Sequence, residues 1–386
     1  MLNAFFADLH IHIGRDMYHR PVKITGSKTL TLSNILEEAN VRKGIHLIGV
    51  VDCHVPSVQE EIENLIQQGK AEELSQGGIR FGNVTLLLGS EIEIYDENCQ
   101  GPIHVLCFLP TLAKIAQFTA WLRERVTNIQ LSSQRYYGTA LELQQKVKAL
   151  AGIFIPAHVF TPFKSLYGKG VQASLKEVFD PTLIDGIELG LSSDSTMADQ
   201  LEELHAYSFL SNSDAHSLKK IGREYQEILL AEPNFTEFFL ALKEQEGRKI
   251  LRNFGFNPML GKYYSTVCVN GHQQAHSQKQ CPVCGVEKFI MGVAERIKFL
   301  ANATTSKQDR PPYFHHVPLE YLPKLGLKTY EKLIQAFHTE MNILHEVTYE
   351  ELLEVIPSSL AKKIIEMRKG NISIQPGGGG TYGKVK

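Results

Sequence analysis

Apolar residues in the first 230 positions of the chain alternate between short continuous runs and runs with helical spacing. The continuous runs predict seven β-strands, at residues 5–12, 46–51, 84–93, 103–108, 153–157, 186–189 and 209–211. Between several of them, apolar residues recur every three or four positions and predict helices, at residues 32–42, 59–68, 112–126, 140–150 and 197–206. This alternation predicts an α/β fold with a parallel sheet, most economically a closed or distorted barrel.

The strand pattern ends near residue 230. Residues 235–252 have a helical pattern, and residues 263–292 carry the cysteines. Residues 301–312 are polar, and residues 319–369 return to helical patterns. A Gly-rich tail over residues 375–386 is expected to be mobile. The predicted units are a barrel, a helical connector, a small zinc-binding domain and a helical C-terminal module with the tail, over residues 1–235, 236–262, 263–300 and 301–386.

Composition agrees with a soluble globular protein, at 43% hydrophobic and 21% charged residues. The N-terminal residues lack a basic segment followed by a long apolar stretch. We therefore expect neither a signal peptide nor a membrane span, and a cytoplasmic location.

Charge is unevenly distributed, although the net charge is only −2. Residues 1–240 carry a balance of −9 and residues 241–386 a balance of +7. An acidic first part fits a site built from carboxylates, and a basic second part fits a polyanionic partner such as nucleic acid. The alternative is that surface charge varies along the chain without functional meaning.

Potential metal ligands stand in pairs two residues apart at the ends of predicted strands: His10/His12, Asp52/His54, Glu91/Glu93 and Asp214/His216. Residues i and i+2 of a strand point to the same face, and barrel enzymes place catalytic groups at the C-terminal ends of strands. His104 and His158 add two imidazoles. Mixed imidazole and carboxylate ligands suit Zn, Mn or Fe, and two ions sharing a carboxylate are suited to phosphate-ester hydrolysis.

Each of these residues also has an ordinary interpretation. Asp8 could form hydrogen bonds instead of binding a metal, and the Glu91/Glu93 pair could form a solvated strand edge. A single histidine near a strand is usually packed in the core or lies at the surface. Five strand ends that all carry ligand-type residues favour the metal interpretation.

A second cluster predicts a structural zinc site. Cys281 and Cys284 form a Cys-x2-Cys knuckle, and Cys268 with His272 forms a Cys-x3-His pair. Four N/S ligands make a closed tetrahedral zinc site, although His276 could replace His272 and the two pairs could be unrelated. Residues 248–298 carry eight Lys and Arg against two Asp and Glu, as expected of a nucleic-acid-binding ribbon.

Five motifs resemble, in order, those of the polymerase and histidinol phosphatase (PHP) superfamily: DLHIH at 8–12, VDCH at 51–54, GSEIE at 89–93, PAH at 156–158 and SDAH at 213–216. The resemblance implies a distorted (β/α)7 barrel with two or three divalent metals, Zn, Mn or Mg. It also implies a first metal on His10, His12, Glu91 and Asp214, a second on Glu91, His104 and His158, and a third served by His216. Asp214, His10 and Glu91 are the expected catalytic residues.

One motif departs from this pattern, because the usual Asp-His dipeptide is split as Asp52-Cys53-His54. His54 is the first choice of ligand here, with Cys53 and Asp52 as alternatives. Asp16 and His19 are loose candidates for a further third-site ligand.

Longer segments spread over the whole chain resemble the endonuclease Q family: PAHVFTPFKSLYG, ELGLSSDSTMAD, YSFLSNSDAHS, LGKYYSTVC, CPVCG, RPPYFHHVPL and PGGGG. This resemblance implies DNA cleavage on the 5′ side of a deaminated base (uracil, hypoxanthine or xanthine) or of an abasic site. The products would carry a 3′-hydroxyl and a 5′-phosphate. Such chemistry requires the target nucleotide to leave the base stack.

We expect the loop over residues 160–167, with Phe163, Lys164 and Tyr167, to form part of the base pocket, unless it is an ordinary loop on the barrel rim. Arg223 is expected to reach a phosphate or to pair with Glu224. A small-molecule phosphatase of the histidinol-phosphate type and a DNA-binding protein with an inactive barrel are the competing hypotheses. No clear sliding-clamp motif is visible, so clamp recruitment stays open, and a monomer without a membrane partner is expected.

Overall fold

The computed structural model describes residues 1–272, 279–371, 374–377 and 381–385. Its strands, in chain order, are β1 Asn3–Ile11, β2 Leu47–Val50, β3 Glu72–Glu73, β4 Ile79–Phe81, β5 Val84–Ile94, β6 Ile103–Leu109, β7 Arg135–Tyr136, β8 Ile153–Pro156, β9 Ile187–Glu188, β10 Phe209–Leu210, β11 Tyr225–Leu230, β12 Lys249–Gly255, β13 Val267–Cys268, β14 Phe289–Ile290, β15 Tyr313–His315, β16 Ile374–Gln375 and β17 Lys384–Val385. The seven predicted strands are confirmed within two residues as β1, β2, β5, β6, β8, β9 and β10.

The α-helices are α1 Leu32–Glu37, α2 Pro56–Gln67, α3 Leu112–Arg123, α4 Ala140–Ala149, α5 Ser195–Ala198, α6 Phe235–Leu242, α7 Val293–Leu300, α8 Leu327–Phe337, α9 Glu340–His345, α10 Tyr349–Val355 and α11 Ser358–Arg368. Several helices are preceded by a residue whose side-chain oxygen accepts a hydrogen bond from a backbone N–H of the first turn: Thr31, Thr111, Thr139, Asn234 and Thr348. Such caps satisfy N–H groups that a helix start leaves without a partner.

The main sheet is mixed, which corrects the expectation of a parallel sheet. Strand β2 is parallel to β1 and to β5, whereas β6 is antiparallel to both β5 and β8. Only eight residues connect β5 to β6, too few for the crossover that parallel neighbours require. Strands β11 and β12 extend the sheet beyond β1 in antiparallel order.

Hydrogen bonds beyond the ladders join the ends of this strand series into a ring. Val159 N donates to the Glu188 carbonyl oxygen at 3.0 Å, which links β8 to β9, and β9 pairs in parallel with β10. After β10, Ala215 N donates to the carbonyl oxygen of His10 in β1 at 3.0 Å. Seven strands therefore surround a common interior, and their ends bring the predicted ligands together.

Two segments differ from the sequence-based expectation. The predicted helix over residues 235–252 is wrong in its second part, where β12 pairs with β11. The Gly-rich tail, expected to be mobile, forms an antiparallel pair of β16 with β17. Strand β12 depends on its pairing with β11, and the tail also donates from Gly377 and Gly383 to the carbonyl oxygens of Met259 and Leu260. Local periodicity does not record such distant partners.

The C-terminal helices pack against the outside of the barrel. The His345 ring stacks on Phe6 with a centroid separation of 4.6 Å, and a buried ion pair joins Lys43 Nζ to Glu340 Oε2 at 2.5 Å. Among the described residues, no helix combines the length and apolar composition required to cross a membrane.

Candidate metal centre

Three side chains from opposite ends of the barrel sequence converge in a first triad. The Oδ1 atom of Asp214 lies 3.6 Å from His10 Nε2 and 3.5 Å from His12 Nε2. Both imidazoles are fully buried. They come from β1 and the residue after it, whereas Asp214 lies in the turn that follows β10.

A second triad of Glu91, His104 and His158 adjoins the first, and Glu91 connects the two. Its Oε1 atom lies 2.8 Å from His104 Nδ1 and 3.5 Å from both His158 Nε2 and His10 Nε2. Its Oε2 atom lies 3.5 Å from His12 Nε2. One carboxylate therefore faces imidazoles of both triads, as a bridging ligand of two cations does.

The unpaired nitrogens in this cluster fit divalent metal ions. His10 Nε2, His12 Nε2 and both ring nitrogens of His104 are buried without a hydrogen-bond partner, even though His104 Nδ1 is close to Glu91. Leaving such an atom unsatisfied costs about 1–3 kcal/mol. In a tetrahedral site with bonds of about 2.1 Å, the ligand atoms are about 3.4 Å apart, close to the separations observed here.

The electrostatics keep both carboxylates ionised. Burial by itself would raise the pKa of Glu91, but His104 and Lys23 hold that pKa well below its usual range. Burial likewise opposes ionisation of Asp214, but His10 and His12 hold the pKa of this carboxyl group well below its usual value.

Two buried carboxylates support the histidines from behind. Glu188 accepts from His10 Nδ1 at 3.0 Å, and Asp52 Oδ2 accepts from His12 Nδ1 at 3.2 Å. Asp52 also accepts from the amide of Ile13 at 2.7 Å. Such carboxylates fix the tautomer of a metal-binding histidine, so that Nε2 is the nitrogen facing the centre. Asp52 therefore lies behind His12 instead of in either triad.

Backbone conformations at two of the ligands are unusual. Asp214 has φ of 45° and His158 has φ of 32°, in a region that residues other than glycine seldom occupy. Next to His158, a Cβ atom on Gly190 would lie 2.8 Å from the His158 Cβ, so this position has room only for glycine. Strain of this kind is concentrated at functional sites, where surrounding contacts maintain it.

Arg223 supports the turn that carries Asp214, and its expected contact with a phosphate stays a prediction. Its Nε atom donates to the Ser213 carbonyl at 2.7 Å, and Nη2 donates to the Asp214 carbonyl at 3.3 Å. Asp8 acts on the same turn by accepting from the Ser213 amide at 3.0 Å. Asp8 therefore forms hydrogen bonds here and does not join either triad.

Several other predicted ligands lie outside both triads. The His54 ring accepts from Ser90 Oγ at 2.8 Å and donates to the Leu131 carbonyl at 3.3 Å, so both of its nitrogens are occupied. Asp16 accepts from the Arg20 amide at 2.8 Å and from Ser57 Oγ at 2.7 Å, and His19 is exposed. The structure thus does not bring His54, the first choice for the split motif, to the metal centre.

His216 borders the centre without belonging to a triad among the described residues. Its ring is 4.8 Å from the His12 ring between centroids, and its Nδ1 lies 3.0 Å from the Asp214 carbonyl oxygen.

The ammonium group of Lys23 lies on another side of the centre, 3.1 Å from Glu91 Oε2. Burial by itself would lower the pKa of Lys23, but Glu91 and Asp52 raise it, so this cation is fixed at the centre.

An open cavity of about 460 Å³ leads from the surface to the triads. Phe163 and Lys164 line it together with Lys262, Tyr263 and Tyr382, and their role in a base pocket stays a prediction. Lys164 Nζ also lies 2.8 Å from Glu93 Oε2. The cavity is thus lined by aromatic and cationic side chains, a combination that suits a nucleotide.

Tyr167 does not reach this cavity, which corrects the expectation that it lines the base pocket. Its ring is fully buried and stacks on Phe160 with a centroid separation of 5.3 Å. Its hydroxyl donates to Glu203 at 2.8 Å. Tyr167 therefore anchors the base of the loop whose exposed end carries Phe163.

The four predicted zinc ligands come together in a separate cluster. Cys268 Sγ lies 3.8 Å from Cys284 Sγ and 3.3 Å from His272 Nδ1, and Cys281 Sγ lies 3.6 Å from the same nitrogen. Zinc bonds of about 2.3 Å to sulfur and about 2.0 Å to nitrogen place tetrahedral ligands about 3.5–3.8 Å apart. The cluster fits one zinc ion, and the alternative ligand His276 lies outside the described residues.

Sequence reasoning missed Glu188 and Lys23. Glu188 ends strand β9, so the strand-end argument used for the other acidic residues would have identified it. Lys23 lies in the long connection between β1 and α1, and no periodic pattern marks it.

Comparisons with known proteins agree with this architecture, although no protein-family model matches the chain. The uncharacterized protein YqxK of Bacillus subtilis is 54% identical over 386 residues, the full length of both chains. The uncharacterized protein MJ0043 of Methanocaldococcus jannaschii is 35% identical over 252 residues, which are 58% of this chain and 31% of that protein.

Two solved structures match along the whole chain. The lesion-specific endonuclease PfuEndoQ of Pyrococcus furiosus is 31% identical, with a TM-score of 0.86, and the match covers 100% of this chain and 95% of that one. Endonuclease Q in complex with a 27-mer duplex substrate, with an abasic lesion at the active site, is 31% identical, with a TM-score of 0.85 and coverage of 100% and 96%. The chain therefore belongs to the endonuclease Q family.

Proposed function

We propose that this protein is a DNA-repair endonuclease that hydrolyses the phosphodiester on the 5′ side of a damaged nucleotide. The substrates are duplexes with uracil, hypoxanthine, xanthine or an abasic site, and the products carry a 3′-hydroxyl and a 5′-phosphate. The observation that carries this proposal is the position of Glu91 between two metal triads, in a chain that matches endonuclease Q over its whole length.

We propose that each triad holds one divalent ion, Zn, Mn or Mg, with Glu91 shared between them. When bound, these ions supply a nucleophilic water and stabilise the leaving oxygen of the phosphodiester. His216 is the candidate ligand of a third ion, but Lys23 already places a positive charge against Glu91. Two ions in the barrel and one structural zinc on Cys268, His272, Cys281 and Cys284 are therefore the proposed complement.

The side chains of the protein orient the substrate and exclude water. Glu188 and Asp52 hold His10 and His12 so that their Nε2 atoms face the centre. Lys23 and Lys164 bring two ammonium groups to the cavity wall, where they attract the phosphates next to the lesion. Phe163, which is 43% exposed, offers an aromatic surface to the displaced nucleotide.

DNA is the proposed partner, and the monomer is the proposed working unit. Extrusion of a nucleotide costs a few kcal/mol, and the cost is smallest where pairing is already weakened, which favours a deaminated or abasic position. The basic segment around the zinc cluster, with an excess of six positive charges over residues 248–298, provides sequence-independent affinity for the duplex.

The experiment compares labelled duplexes that contain uracil, hypoxanthine, an abasic site or no lesion, each incubated with the purified protein and a divalent metal. We expect one cut on the 5′ side of each lesion, with a 3′-hydroxyl end that a polymerase can extend. Asp214→Asn is expected to abolish cleavage while DNA binding is retained, because this variant loses a charged ligand at the centre but leaves the zinc cluster and the basic segment intact.

Each competing hypothesis gives a different result. Equal cutting of the undamaged duplex would remove the lesion specificity from the proposal. Turnover of a small phosphomonoester that survives deletion of residues 260–386, without DNA cleavage, would favour a phosphatase. Metal binding and DNA binding without any turnover would favour an inactive barrel.

A further inference from the structure

The C-terminal tail reaches the active-site cavity. Tyr382, four residues before Lys386, lines this cavity together with Phe163 and Tyr263. These three aromatic rings come from a barrel loop, from the segment that leads into the zinc cluster and from the tail. Phe163 and Tyr263 already contact each other edge to face, with a centroid separation of 5.3 Å.

Backbone contacts hold the tail at this position. Gly377 N donates to the Met259 carbonyl oxygen at 2.8 Å, and Gly383 N donates to the Leu260 carbonyl oxygen at 2.9 Å. A Cβ atom on Gly383 would lie 2.4 Å from the Gln375 carbonyl oxygen, so this close approach requires glycine. The glycines therefore allow the tail to pack closely against residues 258–261.

The Tyr382 side chain also contacts residues of the centre and the cavity. Arg223, which donates to the Asp214 carbonyl oxygen at 3.3 Å, also interacts electrostatically with the Tyr382 side chain. Lys262 Nζ lies 4.6 Å from the centroid of the Tyr382 ring. The tail is thus connected through one guanidinium group to the turn that carries a metal-triad carboxylate.

We infer that Tyr382 is a specificity-determining residue that contacts the base of the displaced nucleotide. The inference rests on the proposed function, because it requires a damaged nucleotide in this cavity. A nucleobase gains affinity by packing on an aromatic ring, whatever its hydrogen-bonding edge, whereas an abasic sugar has no ring to pack. Tyr382 therefore favours base-containing lesions over abasic sites.

The test compares Tyr382→Ala and Tyr382→Phe with Thr381→Ala, a control at the adjacent exposed position of the tail. Single-turnover cleavage rates are measured on uracil, hypoxanthine and abasic duplexes. Dissociation constants are measured with the same duplexes in an Asp214→Asn background. Thermal unfolding and elemental analysis establish that each variant is folded and contains its metal ions.

We expect Tyr382→Ala to lower the ratio of uracil to abasic affinity and rate on the order of tenfold, as loss of a base–aromatic contact does. Tyr382→Phe keeps the aromatic ring and should retain most of this ratio, and Thr381→Ala should match the wild type. Equal losses on all three duplexes, or faster cleavage of all of them by Tyr382→Ala, would overturn the inference.

Failure of the proposed function gives a separate signal. If the wild type cut none of the damaged duplexes, the endonuclease assignment would be wrong. The affinity ratio would still decide whether Tyr382 contacts a base.

Discussion

The Glu188 carboxylate holds the ring of His10, with 3.0 Å between Oε1 and His10 Nδ1. The same carboxylate accepts from the His158 amide at 2.9 Å and from Asn212 Nδ2 at 3.0 Å. One buried side chain thus connects a ligand of the first triad, a ligand of the second triad and the strand end before Asp214.

Glu188→Gln should therefore weaken metal binding without removing a ligand. The amide cannot hold a charged or polarised imidazole as a carboxylate does, and loss of such support typically costs 10–100-fold in metal affinity. Metal titration followed by calorimetry measures the change. Glu232→Gln, at an exposed position, is the control and should bind metal as the wild type does. Unchanged affinity in Glu188→Gln would contradict the supporting role.

Glu91→Gln and Glu93→Gln form a matched pair on strand β5. Glu91 is buried and faces both triads, whereas Glu93 lies 3.6 Å from His104 Nε2 and pairs with Lys164 near the cavity mouth. We expect Glu91→Gln to lose both barrel ions and to lower the cleavage rate by on the order of 10³-fold or more, as loss of a charge-stabilising group does.

Glu93→Gln should retain both barrel ions and lose roughly tenfold in rate, since it weakens only the position of Lys164 and His104. Elemental analysis of the purified variants and single-turnover rates provide the two measurements. Equal effects of the two substitutions would mean that Glu91 is not shared between the sites.

Cys281→Ser should remove the zinc from the ribbon while the barrel keeps its ions. Because a closed zinc site contributes directly to local folding, the segment around residues 263–292 should become sensitive to protease. DNA affinity should fall together with its salt dependence, since basic residues near the ribbon lose their arrangement. Cys99→Ser, in a buried cysteine outside the cluster, is the control. Normal zinc content in Cys281→Ser would exclude the proposed ligand set.

Acid should destabilise the contact between the barrel and the C-terminal helices. Burial lowers the pKa of His316 to about 3 and that of His345 to about 4, and the two rings pack around Tyr225. An unfolded chain protonates these histidines near pH 6.5. Between about pH 6.5 and 4 the unfolded state therefore binds more protons, and the free energy of unfolding falls as the pH is lowered.

The expected slope is up to ~1.4 kcal/mol per pH unit for each histidine, measured by chemical denaturation between pH 7.5 and 5. His316→Asn should reduce the slope, whereas His19→Asn, at an exposed position, should leave it unchanged. A slope that is the same in all three proteins would show that these buried histidines do not control acid sensitivity.

The sequence by itself determined the barrel strands, and the resemblance of its motifs to the PHP superfamily indicated the members of both triads. Apolar runs fix where the strands lie, and the two-residue period of a strand fixes which neighbours share a face, so His10 and His12 could be paired without coordinates. The zinc cluster was equally accessible, because the spacing of Cys281 and Cys284 is set by the local geometry of a knuckle.

The tertiary structure alone decided which residues support those ligands and which only resemble them. Asp52 and His54 have the same spacing as true ligands, yet one holds His12 and the other bonds to Ser90. Lys23 and Tyr382 enter the site from irregular segments at opposite ends of the chain. Their positions depend on backbone hydrogen bonds and packing between residues distant in sequence, and no local period encodes such contacts.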